Sequence, residues 1–434
     1  MSIYDFYLYL LLLVFAGSWM YKGRGALFGG PLPQHHGTLA FSAFQRSFLL
    51  VYLIMMAADW MQGPYVYRLY SYYGFSRTDN GILFIAGFGA SLIFGTWAGP
   101  MADRYGRKLN CMLYGVTYTL SCATKHFPNF GVLMVGRLLG GFATSILWSA
   151  FESWMVSEHL SRGFDPSLIG NTFSLMITLN GLVAIGSGFL AQWAVDVFDH
   201  PVAPFDVSAA FLCIGTAVIY FTWSENYGSQ TTSMISQMRE SLDKVAADRR
   251  IVFTGLQQAL FEGAMYTFVF MWTPALENGG ETIPHGLIFA CFMIASSLGG
   301  TLFGGTIGKV PIPSLMRMLY IVAAMLMAVP MVTESHFFIM GAFVVFEVVV
   351  GMFWPGIGTL RSQFIPEESR ATITNIFRVP LNFVVCIVLY WQGGMGISTV
   401  FTICTLFHAA AVGMAVMLEQ SMAKVDAAAK DVDQ

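Results

Sequence analysis

This sequence predicts an all-α polytopic membrane protein with one leading helix and two sets of six. Three observations predict it. The first is composition: of 434 residues, 56% are hydrophobic, 15% aromatic and only 11% charged, with a mean hydropathy of +0.63. Soluble domains carry about 25% charged residues. The second is the recurrence, from end to end, of apolar runs near the roughly 20 residues that cross a bilayer. The third is the distribution of Lys and Arg, which alternates between rich and poor connections.

Residues 3–20 form an apolar stretch without a basic leader or a small-residue cleavage site, so it reads as a retained helix. A Gly/Pro/His-containing linker, 21–46, follows. Six spans are predicted near 48–70, 80–100, 107–124, 129–155, 168–195 and 205–224. A polar connection, 225–250, divides the chain, and six more spans lie near 251–275, 284–308, 312–332, 336–359, 368–391 and 397–418. The expected units are a leading helix and linker (1–46), a first bundle (47–224), a connecting loop (225–250), a second bundle (251–420) and a tail (421–434).

Of 22 Lys and Arg residues, 17 fall in one set of alternating loops and the tail, among them Arg104, Arg107, Lys108, Arg239, Arg250 and Arg361. The opposite loops hold Arg77 and Lys125; Arg68, Arg137 and Arg378 lie inside spans. The positive-inside rule then places the rich side in the cytoplasm, the N-terminus outside and the C-terminus inside. A net charge of −3 is too small to imply a nucleic-acid partner. Six singly scattered cysteines read as small buried hydrophobes, and the adjacent His35 and His36 do not make a metal site. No phosphate-binding loop, nucleophile elbow or dinucleotide fingerprint occurs, so neither an enzyme nor a cofactor is expected.

The two sets of six echo each other weakly. Asp59 lies six residues after Leu53, as Glu262 does after Leu256. Arg137 and Glu347 each precede a glycine by four residues, and "NTFS" (171–174) parallels "NIFR" (375–378). Parallel six-helix repeats with a mid-membrane site between them fit this pattern.

"GPMADRYGRK" (99–108) concentrates charge and glycine in one turn, with Gly99, Asp103, Arg104, Gly106, Arg107 and Lys108 in register. It resembles the signature loop G-x-x-x-D-R-x-G-R-R/K of the major facilitator superfamily, between that family's second and third helices. Gly136-Arg137 with Gly140 and Gly141, and "IPEESRA" (365–371), are similar to further motifs of these carriers. "AADWMQGPYVYRLY" (57–70), "FESWMVSEH" (151–159), "SENYG" (224–228), "QALFEG" (258–263), "FMWTP" (270–274) and "FRVPLN" (377–382) resemble the molybdate-anion transporter branch over about 50–420, including its additional N-terminal helix. One departure stands out: the second-half counterpart of the signature loop, "GGTIGKVPIPS" (304–314), lacks the acid. The resemblance implies a monomeric plasma-membrane secondary transporter of molybdate, working by alternating access. Tungstate and sulfate share molybdate's shape and charge. Another solute, such as an organic anion or a sugar, and a transport-like nutrient sensor stay open as alternatives.

Ionisable groups at membrane depth are costly, so each is a candidate for function. Asn375, Arg378 and Asn382 form one polar stripe; Gln258, Glu262 and Tyr266 form another; Asp59 pairs with Gln62 at i, i+3. Arg137, Gly141, Ser145, Trp148 and Glu152 line a third face. A tetrahedral dianion needs N–H and O–H donors with net positive charge, which Arg supplies through a planar fork that stays charged when desolvated. Arg378 is the first choice for substrate contact, with Asn375 and Asn382 beside it; the alternative is an Arg378 salt bridge to Glu262 or Asp59. Arg137, Gln62, Gln258, Tyr266, Tyr65 and Trp154 are further substrate candidates. Glu262 and Asp59 suit proton coupling, by taking up a proton as the dianion arrives, or are structural carboxylates. Tyr67, Trp60 and Trp272 are cavity residues or interfacial anchors. Gly63-Pro64 and Pro380 mark helix breaks. In the signature loop, Gly99 should permit close helix approach and Gly106 a tight turn. Asp103 should accept at a neighbouring helix N-terminus, and the three basic residues should pair with the other, moving half.

Overall fold

A computed structural model describes residues 2–22, 39–228, 234–277, 282–366 and 370–432. All regular structure among them is helical: α1 Ile3–Lys22, α2 Leu39–Gln62, α3 Val66–Tyr72, α4 Arg77–Tyr105, α5 Arg107–Thr124, α6 Phe130–Leu147, α7 Ala150–Ser161, α8 Ile169–Phe198, α9 Ala203–Thr222, α10 Met234–Ala247, α11 Arg249–Leu276, α12 His285–Thr306, α13 Ile312–Met327, α14 Val329–Val332, α15 His336–Phe364, α16 Arg370–Trp391 and α17 Ile397–Val432. Among the described residues, ten stretches are long and apolar enough to cross a membrane. α5 and α11 fall short of that hydropathy: α5 carries charge at its start, and α11 buries Gln257, Gln258 and Glu262.

Helix ends follow local chemistry. Ser76 and Asp79 close a reciprocal capping box at the start of α4, and the Asn129 side chain accepts from the Val132 amide at the start of α6. α4 stops and α5 starts at Gly106, whose φ of +112° suits a residue without Cβ. Gly63-Pro64 turns the end of α2 through a 3₁₀ segment, as expected.

Several boundaries differ from those read in the sequence. The first span begins at Leu39, inside the expected linker, because Phe41 and Phe44 find aromatic partners in His159, Phe164 and Trp154. The fourth span is two helices: the chain tightens at Trp148–Ser149, so Arg137 and Glu152 do not share one helical stripe. α16 runs unbroken through Pro380, and α17 continues far past 418. The 225–250 connection contains α10. His35, His36 and residues 367–369 of the "IPEESRA" turn lie outside the described residues.

Within the first set, α2 packs on α8 and α9, while α5 lies between α6 and α9; within the second, α11 and α13 pack on α17, and α12 and α13 on α15. The two sets meet along α8 with α12 and α4 with α16. α1 precedes the first set yet packs on α12 and α15 of the second, where Tyr7 donates to the Phe337 carbonyl at 2.9 Å. That contact joins the start of α1 to the start of α15. The N-terminus therefore lies on the face with few basic residues, called here the charge-poor face, and α17 ends on the opposite, basic face.

Candidate functional site

Contacts between the two sets concentrate at the charge-poor face. Arg77 at the start of α4 donates to the carbonyls of Gln392 and Met395, and Gln392 donates back to the Arg77 carbonyl at 2.7 Å. Gln192 Oε1 on α8 accepts from Tyr65 at 2.8 Å and from the Gly286 amide of α12 at 3.1 Å. Arg68 and His285 both reach Glu277, at 3.5 and 3.1 Å. Gly188 and Gly286 let the backbones of α8 and α12 touch: a Cβ at 188 would lie 2.8 Å from the Gly286 carbonyl.

Beneath this seal lies a cavity of about 1170 Å³ with walls from both sets, reaching Trp148, Arg361 and Met238 of α10 toward the basic face. Four cations line it: Lys125 and Arg137 from the first set, Arg361 and Arg378 from the second. Asp59 and Glu347 are the two acids on the wall. Around them stand Gln62, Ser91, Tyr118, Thr144, Tyr266, Thr374 and Asn382, with Trp60, Phe88, Trp272 and Phe292 supplying the apolar remainder. An apolar chamber with converging cations and hydroxyls can strip water from an anion and replace it with fixed donors.

Each charge is held differently. Arg137 donates from Nε to the Leu83 carbonyl at 3.1 Å and lies over the Phe84 ring at 4.8 Å. Gly87 makes the room: a Cβ there would stand 2.8 Å from the guanidinium carbon. The Arg378 guanidinium has no hydrogen-bond or ion-pair partner among the described residues, so the expected alternative, a tight bridge to Glu262 or Asp59, is not formed. Asp59 accepts from Tyr118 at 2.8 Å. Glu262 is 1% exposed and accepts from Gln258 at 2.6 Å, within reach of the charges of Arg378 and Arg361.

Of the residues expected at a substrate site, Arg378, Asn382, Tyr266, Arg137 and Gln62 stand on the cavity wall, as do Trp60 and Trp272. Two of their polar groups are already occupied, Gln62 by Ser208 at 3.0 Å and the Asn382 amide by the Arg378 carbonyl at 2.8 Å. The Asn375 side chain lies outside the described residues. Five expected residues are corrected by burial. Tyr65 belongs to the charge-poor seal, and Trp154 stacks on Trp223 at 3.7 Å while donating to the Ser224 carbonyl. Gln258 and Glu262 bond each other behind the wall. Tyr67 packs in the core against Phe270.

Lys125, Arg361 and Glu347 were missed as site residues. Lys125 and Arg361 sit near helix ends and count as loop charges in sequence, and only the packed halves turn them inward. For Glu347 the signal was present, in its repeat relation to Arg137.

The signature loop is also corrected in part. Gly99 has open space where a Cβ would point and lines the cavity rather than a helix contact. Asp103 binds Arg107, at 2.7 and 3.0 Å, and the acid that accepts at the α5 N-terminus is Glu225, from the amides of Lys108 and Leu109 at 2.8 and 3.0 Å. Lys108 donates to the Tyr220 carbonyl at the end of α9, and Arg104 lies beside Tyr105. These partners belong to the first set or, for Glu225, to the start of the connecting segment, and none to the second set. Gly106 does make the tight turn: a Cβ there would meet the Glu225 carboxyl at 2.5 Å.

A family model, MFS_5 (sugar transporters, 12 TM), matches residues 10–350. A molybdate-anion transporter of Xenopus tropicalis is 34% identical over 356 residues, covering 80% of this chain and 78% of that protein. One of Takifugu rubripes is 31% identical over 385 residues, covering 80% and 79%. Among solved structures, a D-xylose-proton symporter superposes with a TM-score of 0.66 at 12% identity, covering 87% of this chain and 97% of that one. The nucleoside transporter NupG gives 0.65 at 14%, covering 87% and 99%.

Proposed function

Because this chain belongs to the molybdate-anion transporter family of major facilitator carriers, we propose that it carries molybdate across the membrane by alternating access. The observation that carries this reading is the charge on the cavity wall, four cations against two acids. A sugar needs hydroxyl partners but no such excess of cations; a dianion does. Arg378, whose guanidinium on the wall has no hydrogen-bond or ion-pair partner among the described residues, is the leading substrate contact, with Arg137 facing from the other set and Tyr266 and Asn382 beside it.

The basic face is cytoplasmic under the positive-inside rule, so the N-terminus is extracellular and the cavity opens inward. The units follow as a leading helix, two six-helix bundles and a connecting segment bearing α10. Asp59, on the wall and held by Tyr118, is the better coupling carboxylate. Glu262, set behind the wall, acts through Gln258 and Arg378. Proton symport at the plasma membrane by a monomer completes the reading; sulfate and tungstate compete according to size.

The test is radiolabelled molybdate uptake into proteoliposomes, with sulfate and sugar competitors and an imposed pH gradient. Arg378→Gln should raise KM about 10-fold to 100-fold, the range of a charged hydrogen bond. Uptake that sugars but not oxyanions inhibit would overturn the substrate.

A further inference from the structure

Lys125 has the least ordinary environment of the four cations. It caps the end of α5 at the charge-poor side and is only 2% exposed. Its ammonium donates to the Tyr70 hydroxyl at 3.0 Å and lies 5.3 Å from the centre of that ring. The Tyr73 hydroxyl donates to its carbonyl at 2.5 Å, fixing the backbone beneath it. Among the described residues no acid pairs with it: the neighbouring Asp206 is bound by His126 at 2.6 Å. An ammonium has three N–H donors, and one is used here. Burying a charge without a counter-charge is unfavourable, and this one faces a cavity.

The four cations are also graded in depth. Arg361 lies three residues before the basic-face end of α15, and Arg378 eight residues into α16 from the same face. Arg137 lies seven residues into α6 from the charge-poor face, and Lys125 stands at that end. At about 1.5 Å per residue, the helices thus space them over roughly the membrane's thickness. The first bundle supplies the two nearer the charge-poor face, and the second bundle the two nearer the basic face.

We propose that Lys125 is a substrate-binding residue, the cation that receives the oxyanion from the charge-poor side before Arg137 and Arg378 take it deeper. This rests on the reading of the chain as an oxyanion carrier. In the state described here Lys125 stands at the blind end of the cavity, behind the seal made by Arg77, Gln392 and Gln192. When that seal opens, the same ammonium faces the entering anion with two unused donors.

The test uses the full-length protein, with equilibrium molybdate binding by calorimetry, uptake kinetics in proteoliposomes and melting temperature with and without molybdate. Lys125→Gln should weaken molybdate binding about 10-fold to 100-fold and shrink the ligand-induced rise in Tm. Lys125→Arg should restore most of the affinity. Tyr70→Phe, which removes the lysine's one hydrogen bond but keeps its charge, should leave affinity within about threefold; this variant serves if Lys125→Gln does not fold. Wild-type affinity in Lys125→Gln, with a lowered ligand-free Tm, would make Lys125 a fastener of Tyr70 and overturn the proposal alone. A ten-fold loss in Tyr70→Phe would overturn it in the same way. Wild-type protein that binds no molybdate would overturn both this proposal and the carrier reading.

Discussion

The two faces of this protein are built on opposite plans. At the charge-poor face, polar groups cross between the halves: Arg77 with Gln392 and Met395, Gln192 with Gly286, Arg68 with Glu277. At the basic face, a network as rich stays within the first half and the start of the connecting segment, tying Asp103 to Arg107, Glu225 to the start of α5, and Glu158 to Ser224 and Arg162. The segment 223–228 clasps the signature loop: Arg107 donates its amide to the Asn226 carbonyl, and Gly228 donates to Asp103. Bonds between halves hold a face closed, whereas bonds within one half leave it free to part from the other. The richer charge of the basic face is therefore no measure of how tightly that face is sealed.

The comparison can be broken most severely where backbone meets backbone. Gly286→Val would place a side chain against Gln192, whose backbone nitrogen would lie 2.7 Å from the new Cβ. The charge-poor face should then fail to close. Molybdate uptake should fall at least about tenfold, and a cysteine placed at Thr144 on the cavity wall should lose reactivity toward an impermeant maleimide on the basic face. Unchanged labelling would show that this contact does not close the face.

Arg77→Ala is expected to be milder. Removing its donors to two carbonyls should shift the balance toward opening on the charge-poor face by about 1–3 kcal/mol, or 5-fold to 150-fold. Gln392→Ala should act in the same direction. The double variant should fall short of the sum, because the two residues bond each other; full additivity in the same labelling assay would refute their coupling.

Glu225→Ala sharpens the contrast from the other side. It deprives two first-turn amides of α5 of their acceptor and should cost about 1–2 kcal/mol of stability, lowering Tm by a few degrees. Accessibility from the two faces should stay as in the wild type. The smallest effect is expected for Asp103→Asn, which weakens a partly exposed i, i+4 pair with Arg107. Uptake should drop about twofold to fivefold through slower switching, with molybdate affinity unchanged; lost affinity at normal uptake rate would contradict this.

Much of the fold was legible because its determinants are local or additive. α5 and α11 are too polar to stand out by hydropathy, yet the alternation of Lys and Arg demands a crossing at each. Gly106 was readable because a reversal between two helices needs a residue that tolerates positive φ. The site was readable only as far as helical spacing reaches: Arg378, Asn382, Asp59, Gln62 and Tyr266 do stand on the cavity wall. Trp154 failed, since its stacking partner Trp223 and acceptor Ser224 lie about seventy residues away. Glu225 was invisible for a like reason: nothing near position 108 announces that a distant carboxylate will complete the turn.

Composition, span length and charge asymmetry by themselves determined that the chain is a multi-pass membrane protein and which of its loops are rich in basic residues. The bilayer acts on each segment through its own burial free energy and on each loop through its own charge. Tertiary structure alone decided which charges face the cavity, which pair, and which face is closed. Those outcomes depend on distance between residues far apart in sequence. Lys125 is the clearest case: a loop lysine by position, it is a buried cation only because Tyr70 and the wall of the first bundle enclose it.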